Sequence, residues 1–429
     1  MEASADLEAE AVAASVEAVS ADLEAEAASV EAAQAENGKQ NKMKRIFGIL
    51  MLLLLCGNIR TQELSDSAFA SLITCGPGND FYTTFGHTAL RICDPAQQAD
   101  VVFNYGTFNF NTPHFYLKFA RGILQYRLSA SSFESFMAEY KADGRTVIEQ
   151  RLLLTHEELE KLFNALCVNF LPKNRYYAYD FFIDNCATRV RDQIESALVG
   201  RHFYRSECGD DNLSFRQLLH PPMEQKLEWW KFGIDLVLGA RCDRKATTLQ
   251  YMFLPEHLMV QSDTGRFEGT LQPLAEPPHQ LLPERREELS DSFPPDIVLW
   301  AVLLVYGILS LSELLKKRTT CIGKVADTLL YTATSLLSLL IVFLWFFTAH
   351  YCTKWNLNLL WANPLFICML FKRKRSGIAI PLILYICCGA SLLILLFQWP
   401  QAIPTAALPL MFTLMLRLYV SGIRNRRVS

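Results

Sequence analysis

From residue 296 to its end the chain is written for an apolar solvent. Residues 297–315, 329–347, 357–371, 378–397 and 402–420 are five runs nearly without charge. Three basic clusters, Lys316-Lys317-Arg318, Lys372-Arg373-Lys374-Arg375 and Arg424-Asn425-Arg426-Arg427, fall after alternate runs. About twenty apolar residues in a helix cross a bilayer, and a lipid-exposed backbone must satisfy its own hydrogen bonds. The pattern therefore predicts an all-α five-helix transmembrane domain, residues 296–429. Basic loops stay in the cytoplasm, which puts everything before residue 296 on the opposite face. The third run is short and carries Asn358, Asn363 and Pro364, so it is expected to be broken, tilted or partly re-entrant.

The other end of the chain agrees with that topology. Met43-Lys44-Arg45 is a basic start, residues 46–55 are apolar, and Cys56-Gly57-Asn58-Ile59-Arg60-Thr61-Gln62 follows. This reads as a secretory signal over 43–62, cleaved near Gln62, and it is short for a membrane span. The residue before Cys56 is leucine, a poor context for lipidation. Residues 1–42 are an acidic, low-complexity extension in which 4–11 recur as 20–27. They hold too little large apolar surface to fold alone and are expected to lie upstream of the true start codon. Residues 63–264 then form an exported globular domain, and 265–295, rich in Pro and Glu, an extended linker. The formal charge of −3 gives no argument for nucleic acid.

Within the exported block, 83–92 reads as a strand and 101–106 as its neighbour, with Asp94-Pro95 opening the turn between them. Residues 133–140 and 155–170 have helical spacing, and Thr155 with Glu158 has the form of a capping box. A helix is expected over 185–198. Six cysteines, Cys75, Cys93, Cys167, Cys186, Cys208 and Cys242, lie in this block. Export permits disulfides, and Cys208 with Cys242 or Cys75 with Cys93 are pairs to consider. No spacing suggests a metal site, and no cofactor is expected.

The stretch Tyr179-Asp180-Phe181-Phe182-Ile183-Asp184-Asn185-Cys186-Ala187-Thr188-Arg189 carries the chemistry. Asp184 or Asn185 can cap a helix whose first turn holds Cys186, and helix-start amides favour a thiolate. Cys186 is thus a candidate nucleophile, set against the reading of a small buried apolar residue. In Phe85-Gly86-His87-Thr88 a histidine follows a glycine on a strand, and Asn104 lies seventeen residues on, in Phe103-Asn104-Tyr105-Gly106. His87 can serve as general base/acid, and Asn104 can fix its tautomer and tilt, with Tyr105, Asp94 and Asp184 as rivals for that role. Each also has a purely structural reading. Tyr179 and its aromatic neighbours can wall an acyl-chain groove or be ordinary core. Arg175, Arg189 and Arg191 can meet phosphate head groups or be surface ion pairs. His350, Trp355, Asn356 and Asn358 offer a second lipid-handling surface on the exported side.

A Gly-His strand, a polar residue on the next strand and Asn-Cys opening a helix resemble circularly permuted papain-like enzymes of the NlpC/P60 and lecithin:retinol acyltransferase type. More closely, Leu72-Ile73-Thr74-Cys75-Gly76-Pro77-Gly78, Phe85-Gly86-His87-Thr88-Ala89-Leu90-Arg91, Phe103-Asn104-Tyr105-Gly106-Thr107-Phe108 and the Tyr179 to Arg189 stretch resemble the Bacteroidota lipoprotein N-acyltransferase family, Lnb. The multi-helix tail matches that family's architecture. The resemblance implies an α+β permuted papain-like domain in the periplasm, anchored in the inner membrane. It implies acyl transfer from a membrane phospholipid, through a thioester on Cys186, to the amino terminus of a diacylglyceryl-cysteine lipoprotein. The rival function is a membrane-anchored cysteine peptidase or amidase acting on peptidoglycan.

Overall fold

The computed structural model describes residues 63–205, 212–224, 227–284, 293–371 and 379–420. The acidic extension, the signal segment with Cys56, Cys208 and the two later basic clusters lie outside them. The chain divides into two compact units. The first comprises the residues up to Phe115, Leu124–Asp211 and Thr247–Glu287; the second comprises Tyr116–Ile123, Asn212–Ala246 and the chain from Glu288 onward. Residues 116–123 and 212–246 group with the second unit because packing between distant segments decides membership.

The first unit is built on a seven-stranded sheet of order β6-β4-β3-β2-β1-β5-β9. Its strands are β1 (Phe69–Cys75), β2 (His87–Asp94), β3 (Ala99–Thr107), β4 (Gln125–Ser132), β5 (Val147–Arg151), β6 (Tyr176–Ala178) and β9 (His279–Leu282), and every neighbouring pair is antiparallel. A separate ribbon joins β7 (Phe203–Tyr204) to β8 (Arg266–Phe267). Both β8 and β9 fall in the stretch expected to be a linker. Pro-rich extended backbone also suits an edge strand, which needs ladder bonds on one side only.

Cross-strand partners show why β1 and β2 are almost wholly buried. Leu72 pairs with Leu90 and faces one core; Ile73 pairs with Ala89 and faces another. The first face is covered by α2 (His156–Phe170), α3 (Cys186–Ala197) and α4 (Pro255–Thr264), through Leu162, Leu166, Val190, Ile194 and Leu258. The second face is covered by α1 (Phe133–Ala142), through Phe136 and Tyr140. The expected capping box of α2 is present, with Glu158 N–H donating to Thr155 Oγ1 and Thr155 N–H to the Glu158 carboxylate. The strand expected from residue 83 starts at His87, because Phe81–Thr83 is a 3₁₀ turn and Gly86 has φ +78°. Phe69 pairs with Cys93 and Cys75 with His87, so Cys75 and Cys93 stand at opposite ends of one hairpin and cannot bridge.

Among the described residues the second unit has three helices long and apolar enough to cross a membrane: α5 (Pro295–Lys316), α6 (Cys321–Phe346) and α7 (Ala379–Phe397). The helix α8 (Leu408–Arg417) lies within a shorter apolar helical stretch, Thr405–Val420. Residues 357–371, expected as the third span and as broken, tilted or partly re-entrant, form only a 3₁₀ turn, Leu357–Leu359, and a five-residue helix, Phe366–Leu370, among the described residues. Their polar side chains explain this. Asn356 Nδ2 donates to Leu236 O at 2.8 Å, Asn358 Nδ2 donates to the same oxygen at 3.1 Å, and Leu357 N–H donates to Gln401 Oε1 at 2.7 Å. These bonds hold irregular backbone inside protein, where it is tolerated at membrane depth. Leu304, Val305, Ile308 and Leu311 on α5 face outward, as a lipid-facing helix requires.

Candidate active site

The helix α3 begins at Cys186 because Asn185 stops the preceding backbone and caps it. Asn185 Oδ1 accepts from Thr188 N–H at 2.9 Å, and Asn185 N–H donates to Thr188 Oγ1 at 2.8 Å. Asn185 is buried, and its Nδ2 donates to Phe253 O at 2.7 Å and Phe181 O at 2.9 Å. One side chain thus joins the helix start to two other segments. Of the two caps the sequence offers, Asn185 is the one used; Asp184 pairs with Arg189.

The Cys186 thiol is free and only 7% exposed. The backbone amides of Thr88, Ala187 and Cys186 itself favour its thiolate. The helix that Cys186 opens packs against β2, the strand that His87 begins. On β3, Gly106 (φ +92°) leaves room, since a Cβ there would lie 3.7 Å from Cys186 Cβ and 3.7 Å from Tyr179 Cε2. A Cβ at 106 would only touch these atoms; it is the positive φ that favours glycine there.

His87 is the first residue of β2, delivered by the Gly86 turn. A Cβ at Gly86 would lie 2.6 Å from Cys75 O, so no other residue makes this turn. His87 Nε2 is 3.2 Å from Asn104 Oδ1. When Nε2–H donates to that oxygen, Nδ1 is left as the proton acceptor.

Charge states follow from burial. Desolvation holds the His87 imidazole down to about 4, with the Arg145 charge acting the same way and the Asn104 bond opposing. Desolvation raises the Cys186 thiol, opposed by its three amides and by Arg145. The resting pair is therefore a neutral thiol beside a neutral imidazole, suited to proton transfer as attack occurs.

Residues 58–220 match the model of the Lnb N-terminal periplasmic domain, and residues 287–427 match that of the Lnb transmembrane domain. The chain belongs to the Lnb family. It is a membrane protein with a periplasmic N-terminal domain. Neither the curated proteins nor the solved structures contain a significant match to it.

Cys186, His87 and Asn104 all fall within the Lnb periplasmic match, and the fold brings them together from α3, β2 and β3. Tyr179 joins them beside Gly106 and stacks on Tyr126, ring centroids 4.3 Å apart. The two arginines are engaged elsewhere. Arg189 grips Asp184 at 2.6 and 2.8 Å and lies over the Tyr177 ring, while buried Arg175 lies over the Tyr176 ring. Arg191 donates to Leu249 O and pairs with Asp192. In the C-terminal unit, Asn356 and Asn358 are fully buried and His350 bonds Ala120 O, which leaves exposed Trp355 alone of the four expected lipid contacts. Sequence reading did not single out the Thr88 amide, Gly106 or Arg145. The first two sit inside the quoted motifs; Arg145, in Gly144-Arg145-Thr146, carried no local signal.

Proposed function

We propose that this Lnb-family chain is a lipoprotein N-acyltransferase of the cytoplasmic (inner) membrane, multi-pass, with a permuted papain-like catalytic domain in the periplasm. In this reading Cys186 is the nucleophile, His87 the general base and acid, and Asn104 the group that orients His87. As the thiol attacks an ester carbonyl of a membrane phospholipid, His87 Nδ1 takes its proton. Amides at the start of α3 are the donors best placed for the developing oxyanion, each worth roughly 3 kcal/mol. The ester C–O bond then breaks, His87 returns the proton to the leaving alkoxide, and a lysophospholipid departs from S-acyl-Cys186.

The amine of a diacylglyceryl-cysteine lipoprotein attacks the thioester next. His87 receives the amine proton and passes it to the sulfur as the C–S bond breaks, which restores the thiol and leaves an amide. The two half-reactions share one site and predict ping-pong kinetics. Burial of Cys186 favours this outcome, because a thioester kept from water survives to meet an amine.

The observation that carries the reading is Cys186 at the Asn185-capped start of α3, packed against the strand β2 that begins with His87 and its Asn104 partner, in a chain of this family. It is tested by expressing wild type and Cys186→Ala and reading a lipoprotein N-terminal peptide by mass spectrometry. Diacylated peptide alone is expected from the variant. Unchanged triacylation would overturn the proposal, and cleavage of cell-wall fragments without a lipid-derived thioester would replace it with the amidase reading.

A further inference from the structure

Arg145 precedes β5 and is 6% exposed, yet no carboxylate lies within ion-pair distance of it among the described residues. Its Nε donates to Gly76 O at 3.0 Å, and its guanidinium lies 4.6 Å from the centroid of the Tyr140 ring. Its stem is so close to Gly78 that a Cβ there would lie 3.3 Å from Cδ. One terminal nitrogen, Nη2, has no hydrogen-bond partner among the described residues. A buried guanidinium in this state is costly to the fold, because its charge is desolvated without a counter-ion.

The sheet places this charge near the candidate pair. Val147 opposes Cys75, and Cys75 opposes His87, so Arg145 lies close to the same level of the sheet, two strands from His87. The loop from Gly76 to Gly86 joins these strands and delivers His87. Arg145 and its neighbour fasten the start of that loop, by the Nε bond to Gly76 O and by Gly76 N–H donating to Thr146 O at 2.9 Å.

We infer that Arg145 is a positioning residue for Cys186 and His87: it ties down the loop that presents His87 and supplies to both groups a positive charge that no ion pair among the described residues ties up. The inference rests on reading those two as nucleophile and base. Arg145 contributes to holding His87 below the ordinary imidazole range and works against the burial that raises Cys186. Both effects are those a cation has on its neighbours. The other groups around the three are Cys75, Tyr140, Glu139 and Tyr82 near Arg145, with Asp143 beside Glu139; Tyr177 and Tyr179 near Cys186; and Asn104 at His87. None of them is a cation; Arg189, three residues along α3 and over the Tyr177 ring, is paired with Asp184, so the favourable field at the thiolate comes chiefly from Arg145 and the backbone amides.

The test uses the full chain in detergent. Alkylation of Cys186 by iodoacetamide is followed by peptide mass spectrometry from pH 6 to 10 in wild type, Arg145→Gln, Arg145→Met and Arg145→Lys. Loss of the charge is expected to slow alkylation of Cys186 about tenfold at a fixed pH, the equivalent of one pKa unit. The two neutral variants should give the same displacement toward alkaline pH, and Arg145→Lys should recover most of the wild-type profile. Arg145→Met keeps stem packing against Gly78 and Tyr140, so it remains informative where Arg145→Gln fails to fold. A wild-type profile in both neutral variants, or a lysine variant as impaired as they are, would overturn the inference. A displaced profile with unchanged lipoprotein acylation in Cys186→Ala would uphold the charge effect and overturn the function on which it is built.

Discussion

His87 Nε2 lies 3.2 Å from Asn104 Oδ1, and the three rival groups for that contact are bonded elsewhere. Tyr105 O–H donates to Asn169 Oδ1 at 2.6 Å, Asp94 accepts from Ser65, and Asp184 holds Arg189. A neutral amide acceptor fixes which ring nitrogen keeps its proton and adds no charge of its own.

Removing that acceptor should cost orientation without removing the base. Asn104→Ala is expected to lower the initial rate of lipopeptide N-acylation by about 10- to 100-fold, less than loss of His87, since general-base catalysis is worth roughly 10²–10⁴. Asn104→Asp keeps an acceptor and adds a negative charge, so it should retain more activity while its acid limb moves to higher pH. Equal rates in Asn104→Ala and wild type across pH 6–9 would remove Asn104 from the site.

Stability should depend on pH through His87. Its folded value, about 4, lies below the unfolded value near 6.5. Between those limits the unfolded chain binds a proton that the folded chain excludes, so stability rises with pH across the window. Unfolding midpoints should therefore fall as pH drops from 6.5 toward 4, and His87→Gln should flatten that slope. His257, also lowered by burial, contributes a slope that the variant retains.

The exported topology, the helix behind Cys186 and the His87 strand were legible because each rests on local chemistry: apolar run length, a cap, a glycine turn. Nothing local told Asn104 from Tyr105 or Asp184. That choice depends on where Asn169 and Ser65 arrive from distant segments, and on Arg189, five residues on, turning back to hold Asp184. The same holds for Arg145, whose meaning comes from the β5-β1-β2 register and from a carbonyl sixty-nine residues away. The third apolar run was readable as irregular, from Asn358 and Pro364, but its partners Leu236 and Gln401 were not. The strand β9 was hidden because Pro-rich extended text looks alike in a linker and at a sheet edge.

The cap at Asn185 should link stability to activity. Asn185→Ala removes the bond to Thr188 N–H, worth about 1 kcal/mol for a cap, and leaves Phe253 O and Phe181 O without their donor. A loss of roughly 2–4 kcal/mol in total is expected, from the cap plus the unpaired buried carbonyls. Asn185→Asp keeps the capping oxygen and lacks the Nδ2 donors, so it should recover only the cap's share. Thermal unfolding of the purified chain checks both, and a melting temperature unchanged in Asn185→Ala would refute the assignment.

In the C-terminal unit, one arginine holds two carboxylates. Arg417 Nε and Nη2 donate to Asp327 at 2.6 and 3.0 Å, Nη2 lies 2.8 Å from Glu313, and Nη1 donates to Ser310 at 2.9 Å. Arg417, Glu313 and Ser310 are almost completely buried, and the cluster ties α5, α6 and α8 together. Breaking a buried pair on one side leaves uncompensated charge, at a cost of about 3–5 kcal/mol, whereas replacing every member by neutral groups of similar size is often close to neutral. Arg417→Met alone should therefore sharply lower the melting temperature in detergent, and Arg417→Met with Asp327→Asn and Glu313→Gln should recover much of the loss. If the single variant melts like wild type, the cluster does not hold these helices; if the triple variant is no better than the single one, the cost lies in lost packing and hydrogen bonds rather than in stranded charge.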